Sequence, residues 1–192
     1  MTPARASVDE AQEPSAESLE RLASRYTATL SRRLGADPFD RLTTPERLRL
    51  WPAANGLDPE QEPTTADLAE AIALRETVYR LGAAIAGDLV RDPPDSRLLN
   101  AAAAAGHPVP EQTGTGMRWR LDGPRPVRAA LAVIARDVIA LLGGDDAGRV
   151  KTCDGVDCAG LYLDTSRGDN RRWCSMNTCG NKNKKSRMRA HP

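Results

Sequence analysis

Aromatic residues are scarce in this chain: they make up 4% of 192 residues, with one Phe, three Tyr and three Trp. A core without aromatic bulk must be filled by Leu, Ile, Val and Ala, which suits packed helices better than a sheet-rich fold. Histidine is scarcer still, and His107 stands beside Pro108 in a loop where a solvent-exposed role is expected. No stretch, even around Leu131 to Leu142, approaches the roughly 18 apolar residues of a membrane span. The opening MTPARASVDEAQEP lacks the apolar run of a signal peptide, so a soluble, cytoplasmic protein with no membrane contact is expected. Gly114-Thr115-Gly116 is too short for a phosphate-binding fingerprint and precedes a strand instead of opening a helix. There is no internal repeat, and the carboxylates fall at ordinary helix-surface spacing, so nothing before Arg149 looks catalytic.

What is present is helical periodicity. Residues 1–14 are small, polar and Pro-punctuated and read as a disordered tail. From Ser15, Leu19, Leu22, Tyr26, Leu30 and Leu34 recur at spacings of three and four, with Gly35 as a stop, and predict one helix. A short helix is expected to start near Thr43 or Thr44, where Thr43 and Glu46 have capping-box spacing, and to run to Trp51, and Pro52 to Pro63 reads as loop. A long helix is expected from Thr65, with Leu68, Ile72, Tyr79 and Ala71, Leu74, Val78, Leu81, Ile85 on a wide apolar face. An Ala-rich helix follows from Ser96 to Ala105. Met117, Trp119 and Leu121 alternate with Arg118 and Arg120 as in a half-buried strand. A last helix from about Arg125 to Leu142 would bury Val127, Leu131, Ile134, Val138 and Leu141, and Gly143 to Gly148 would form a hinge.

Cysteine is absent from the first 152 residues and then appears four times within 27, as C-x4-C-x15-C-x4-C. Two close pairs separated by a loop are what a tetrahedral zinc ion requires, so Cys153, Cys158, Cys174 and Cys179 are the candidate ligands of one structural Zn²⁺. Disulfides are the competing reading and need an oxidising compartment. Leu161-Tyr162-Leu163 reads as a strand, Asp164 to Asn170 as a turn, and Arg171-Arg172-Trp173 as the returning strand. A helix is expected from Asn181 to Arg189, its free N–H groups facing the thiolates. So small a unit depends on its metal to fold.

Charge is distributed unevenly. The net charge is +1, yet Arg149 to Pro192 carries ten basic and four acidic side chains, leaving the rest of the chain acidic. Four thiolates around Zn²⁺ absorb part of this surplus but not all of it. Lys182, Lys185 and Arg189 fall on one helix face, with Lys184 and Arg187 across from it. Together with Arg167, Arg171 and Arg172 these are the candidate nucleic-acid contacts, against the alternative of a solvated basic tail.

From Cys153 to Arg189 the sequence resembles the CGNR zinc-finger family. The residues that carry the likeness are Cys153-x4-Cys158, Leu161-Tyr162-Leu163-Asp164-Thr165-Ser166-Arg167, Arg171-Arg172-Trp173-Cys174-Ser175-Met176 and Cys179-Gly180-Asn181-Lys182. Lys182 stands where the family's name has Arg, which keeps the charge but loses a bidentate fork. The preceding part is similar to the ABATE-type helical domain that usually precedes this finger. Leu19 to Leu57, Asp67-Leu68 to Tyr79, Met117-Arg118-Trp119 and the final helix come in the expected order. The resemblance implies a stress-linked transcription regulator whose finger binds DNA.

The expected fold is mainly α: a helical ABATE-like domain over 15–146 with a small β-hairpin or strand, and a CGNR-type zinc finger over 149–192 built from a β-hairpin and a helix. The expected function is a bacterial-type, zinc-dependent, DNA-binding transcription regulator without enzymatic activity, since four thiolates leave zinc no open position. An RNA-binding or protein-interaction zinc module is the alternative. A single finger binds weakly, so a homodimer or a transcription-machinery partner is expected. The helical domain has room for a small-molecule effector that no residue names.

Overall fold

The computed structural model describes residues 22–114 and 116–190; the expected disordered tail and the helical residues Ser15 and Leu19 lie outside the described residues. The element order begins with helix α1 (Leu22–Thr27), strands β1 (Leu30–Ser31) and β2 (Phe39–Asp40), and helices α2 (Pro45–Ala54), α3 (Thr65–Ala86) and α4 (Pro93–Ala104). A hairpin of β3 (His107–Thr113) and β4 (Gly116–Asp122) leads into α5 (Pro126–Gly143). A 3-10 turn (Asp145–Arg149), strands β5 (Val150–Thr152) and β6 (Leu161–Leu163), a wide turn at Met176–Gly180 and helix α6 (Asn181–Ala190) complete it. The chain is mainly α, with three two-stranded antiparallel sheets among the described residues.

The two long helices form where periodicity and caps agree. Thr64 caps α3 through a full capping box: its hydroxyl accepts from the Asp67 amide while the Asp67 carboxylate accepts from the Thr64 amide. Ala71, Leu74, Val78 and Leu81 are buried along α3 as their spacing predicts. Pro126 starts α5, where a missing N–H costs nothing, and Val127, Leu131, Ile134, Val138 and Leu141 are all buried. Ala129, Ala130, Ala132 and Ala135 are buried as well, so α5 is covered on nearly every side.

Several expectations are corrected. The first helix stops at Thr27 instead of reaching Leu34, because the Thr27 and Thr29 hydroxyls donate back to the Ser24 and Tyr26 carbonyls and Leu30–Ser31 pairs with Phe39–Asp40. Leu34 is 69% exposed, so its helical spacing was fortuitous. Helix α2 is capped by Thr44, one of the two expected starts, whose hydroxyl accepts from the Arg47 amide, but it runs past Trp51 through Pro52 to Ala54. Helix α4 starts at Pro93, since prolines are tolerated in a first turn. His107 is not in a loop: it opens β3, opposite Asp122. That strand was hidden by Pro108 and Pro110, which are tolerated because β3 has a single partner among the described strands.

Periodicity also missed a buried charge. Arg75 on α3 is 2% exposed, and its guanidinium grips Asp40 in a two-pronged contact at 2.6 and 2.9 Å while its Nε donates to Glu76 at 2.7 Å. Burial acts to raise the Asp40 carboxyl, but the bonds from Arg75 hold it below its ordinary value. This pair fixes the β1–β2 turn onto α3.

The segment Gly143 to Gly148, expected as a hinge, runs into a 3-10 turn (Asp145–Arg149), and the strands that follow it join the helical core. Val150, Leu161 and Leu163 belong to the same core as Tyr26, Leu74, Val78, Leu81 and Val138. Leu161 lies against Gly82 of α3, where an added Cβ would stand 2.5 Å from its Cδ1. All three residues of β6 are buried, because Leu161 and Leu163 enter the helical core while Tyr162 points the other way. Leu161→Ala should therefore destabilise the helices by roughly 2–4 kcal/mol, as a core truncation does. Urea unfolding followed by helical circular dichroism checks this, and an unchanged midpoint would separate β6 from the core.

Candidate metal centre

The second half of the chain's end is organised by four sulfurs. Cys153 follows β5, Cys158 ends the first knuckle, Cys174 follows the loop after β6, and Cys179 sits in the Met176–Gly180 turn. Their Sγ atoms all lie within 4.8 Å of one another, with Cys158–Cys174 at 3.6 Å and Cys174–Cys179 at 3.7 Å. Four sulfurs about 2.3 Å from a zinc ion define a tetrahedron with edges of about 3.8 Å, so the cluster has the size of a Cys₄ zinc site. All four are free cysteines and none is disulfide-bonded.

The four thiols are electrostatically tied to one another. Hydrogen bonds among the sulfurs push the Cys153 and Cys158 thiols down and the Cys174 and Cys179 thiols up. Only a cation at the centre lets all four be thiolates together. Backbone amides already face the sulfur of Cys153, from Gly155 at 3.4 Å and Cys174 at 3.3 Å. Gly155 is packed against Cys158 and Cys179, and an added Cβ would stand 3.3 Å from the Cys179 Sγ.

Asp164 organises the loop between the knuckles. It is fully buried, and its carboxylate accepts from Lys151 Nζ at 2.8 Å, the Ser166 amide and hydroxyl at 2.9 and 2.6 Å, and the Arg171 amide at 2.9 Å. Burial acts to raise this carboxyl, but the bonds from Lys151 and Ser166 hold it well below the usual carboxylate range. The same bonds explain why Arg171-Arg172-Trp173 is not a strand. The Arg171 amide goes to Asp164, and β6 pairs with β5 instead, Val150 facing Leu163. Sequence reading took Asp164 only as an acid in a turn; the signal that could have found it is the Asp-x-Ser spacing of a side-chain-bonded turn.

Two family models match the chain. One, ABATE, described as "Putative stress-induced transcription regulator", matches residues 7–145, and the other, the CGNR zinc finger, matches residues 149–191. The chain belongs to the ABATE family. The comparison with curated proteins finds no match. In this ABATE chain the CGNR finger holds one structural zinc through a four-cysteine arrangement.

The basic residues of the CGNR finger fall into three groups. Arg171 is committed inward: its Nε donates to the Trp173 carbonyl at 2.8 Å, its Nη2 to the Cys174 carbonyl at 2.5 Å, and its guanidinium lies over the Tyr162 ring. Arg172 and Lys182 make exposed ion pairs with Asp154 and Asp157, at 2.8 and 2.6 Å. Lys182, in the place of the family's Arg, serves there as a point charge. Arg167, Lys184 and Lys185 are exposed and have no ion pair among the described residues. Arg187 and Arg189 lie on α6 by their backbone, and their side chains are outside the described residues.

Native mass spectrometry should find one zinc per chain, and Cys174→Ser should abolish tight binding; full retention would overturn the four-sulfur site. Asp164→Asn should cost roughly 3 kcal/mol, the low end for breaking a buried charge pair, because Lys151 is partly solvated. Denaturant unfolding at neutral pH measures that loss.

Proposed function

We propose that this ABATE chain is a DNA-binding transcription regulator whose CGNR finger touches the phosphate backbone. The observation that carries the reading is the set of exposed cations Arg167, Lys184 and Lys185 in the finger, which have no ion pair among the described residues. Arg172 and Lys182 extend this set. Their carboxylate partners are exposed, and exposed pairs are worth at most about 1 kcal/mol, so a phosphate can replace them. Arg187 and Arg189 share the helix. Helix α6 has no acidic residue in its sequence NKNKKSRMRA, so nothing on it opposes the charge of its lysines and arginines. Arg171 is left out of the contact set, because its donors hold the loop.

The zinc is structural in this reading, with four thiolates filling its tetrahedron, and no catalysis is assigned. The helical part is the regulatory half, open to an effector or a partner. No described helix is long and apolar enough to cross a membrane, in keeping with a cytoplasmic regulator. A single finger with four or five phosphate contacts binds weakly, so the working form is a homodimer or a complex with the transcription machinery. A protein-interaction module is the second reading, favoured by the exposed Val156, Met176 and Met188 on the same finger.

Four or five neutralised phosphates give a slope of log K against log salt near −4 on duplex DNA, at roughly −0.9 per contact. Replacing Lys184 and Lys185 together with Ala should flatten that slope by about one to two units and weaken all sequences alike. Fluorescence anisotropy across a salt series measures both. An unchanged slope leaves α6 a solvated tail, salt-independent binding to a protein selects the second reading, and preference for structured RNA in a parallel titration selects an RNA module.

A further inference from the structure

Three consecutive carbonyls of the first zinc knuckle are held by the helical body. The Leu34 amide donates to the Asp157 carbonyl at 3.1 Å, the Arg33 amide to the Cys158 carbonyl at 3.3 Å, and the Tyr79 hydroxyl to the Ala159 carbonyl at 3.0 Å. Asp157, Cys158 and Ala159 therefore depend for these bonds on residues more than 70 positions earlier. Ala159 sits at φ 48°, the left-handed region that a residue with a Cβ rarely adopts, so its conformation is imposed by its surroundings.

The side that grips is itself rigid. The Arg33 guanidinium lies 3.9 Å from the centroid of the Tyr79 ring and is paired with Glu76 at 2.7 Å. Glu76 also receives Arg75, which holds Asp40, so the β1–β2 turn and α3 are locked at both ends. Gly35 completes the fit, since an added Cβ would stand 3.3 Å from the Asp157 Cβ.

We propose that Tyr79, backed by Arg33, is a positioning residue for the zinc centre: the ABATE body supplies the outer shell that holds Cys158 in its ligating geometry. The inference rests on the metal site and not on DNA binding. Zinc release then requires the knuckle to leave the body as well as the metal to leave the sulfurs. Zinc retention and body stability become one linked equilibrium, and each strengthens the other by the same factor.

The test is transfer of zinc from the full chain to the chelator 4-(2-pyridylazo)resorcinol, with thermal unfolding measured before and after metal removal. Tyr79→Phe keeps the ring under Arg33 and removes only the hydroxyl. It should release zinc about tenfold faster, the low end for loss of an outer-shell bond. The rise in Tm that zinc gives the helices should also be smaller in this variant. Tyr26→Phe is the control, because the Tyr26 hydroxyl donates to the Ala71 carbonyl inside the body and touches no knuckle residue. It should lower Tm yet speed zinc release less than Tyr79→Phe does, because it acts only through the stability of the body. Wild-type release from Tyr79→Phe, or equal acceleration by Tyr26→Phe, would overturn the proposal. A wild-type chain with no zinc to release would instead overturn the metal site.

Discussion

The burial of strand β6 from two sides is the constraint on which the rest of the structure depends. Leu161 and Leu163 face the helices and Tyr162 faces the metal loop, so neither side can be removed without exposing the other's wall. A segment with so few apolar residues cannot close a core alone. The metal cross-links it on one side and α1 and α3 cover it on the other. This is why Val150 directly follows the turn after α5 and enters the core at once, with no free linker between.

Much of this was legible in the residues. Helices α3 and α5 follow from spacing and caps, because a long amphipathic helix carries its signal in every turn. The metal site follows from cysteine spacing, because ligand geometry constrains the chain locally. What was not legible depends on distant partners. Arg75 looks like a surface arginine until Asp40, from 35 residues earlier, is placed against it. Strand β3 carries two prolines and no period-two pattern, so only its pairing with β4 reveals it. Arg171-Arg172-Trp173 has strand composition, yet a single buried carboxylate takes the amide that a ladder would need. Tyr79 sat correctly on an apolar helix face, but nothing local told that its hydroxyl reaches the zinc knuckle.

The charges of the finger carry a similar lesson. A count of ten basic side chains from Arg149 onward treats them as equivalent, and the fold does not. Arg149 donates to the Asp164 and Ser166 carbonyls, Lys151 to Asp164 and Asp169, and Arg171 to two carbonyls beside a zinc ligand. These three hold a short loop that has no core of its own. Carbonyls and buried carboxylates compete with phosphate for guanidinium donors, and the better-desolvated acceptor wins. The basic residues of the finger left exposed and without an ion pair among the described residues are Arg167, Lys184 and Lys185.

Metal binding in such a fold has consequences beyond the finger. Anything that binds the folded state but not the unfolded one stabilises the entire cooperative unit, by about 4 kcal/mol when free zinc exceeds its dissociation constant a thousandfold. In a finger tethered by a flexible linker that energy would stay in the finger. Here β6 lies in the common core and three knuckle carbonyls are bonded to the body, so the stabilisation reaches α1, α3 and α5. The metal centre is therefore no satellite: the strand that leads out of it packs Leu161 on Gly82, and the Ala159 carbonyl of its first knuckle accepts from Tyr79.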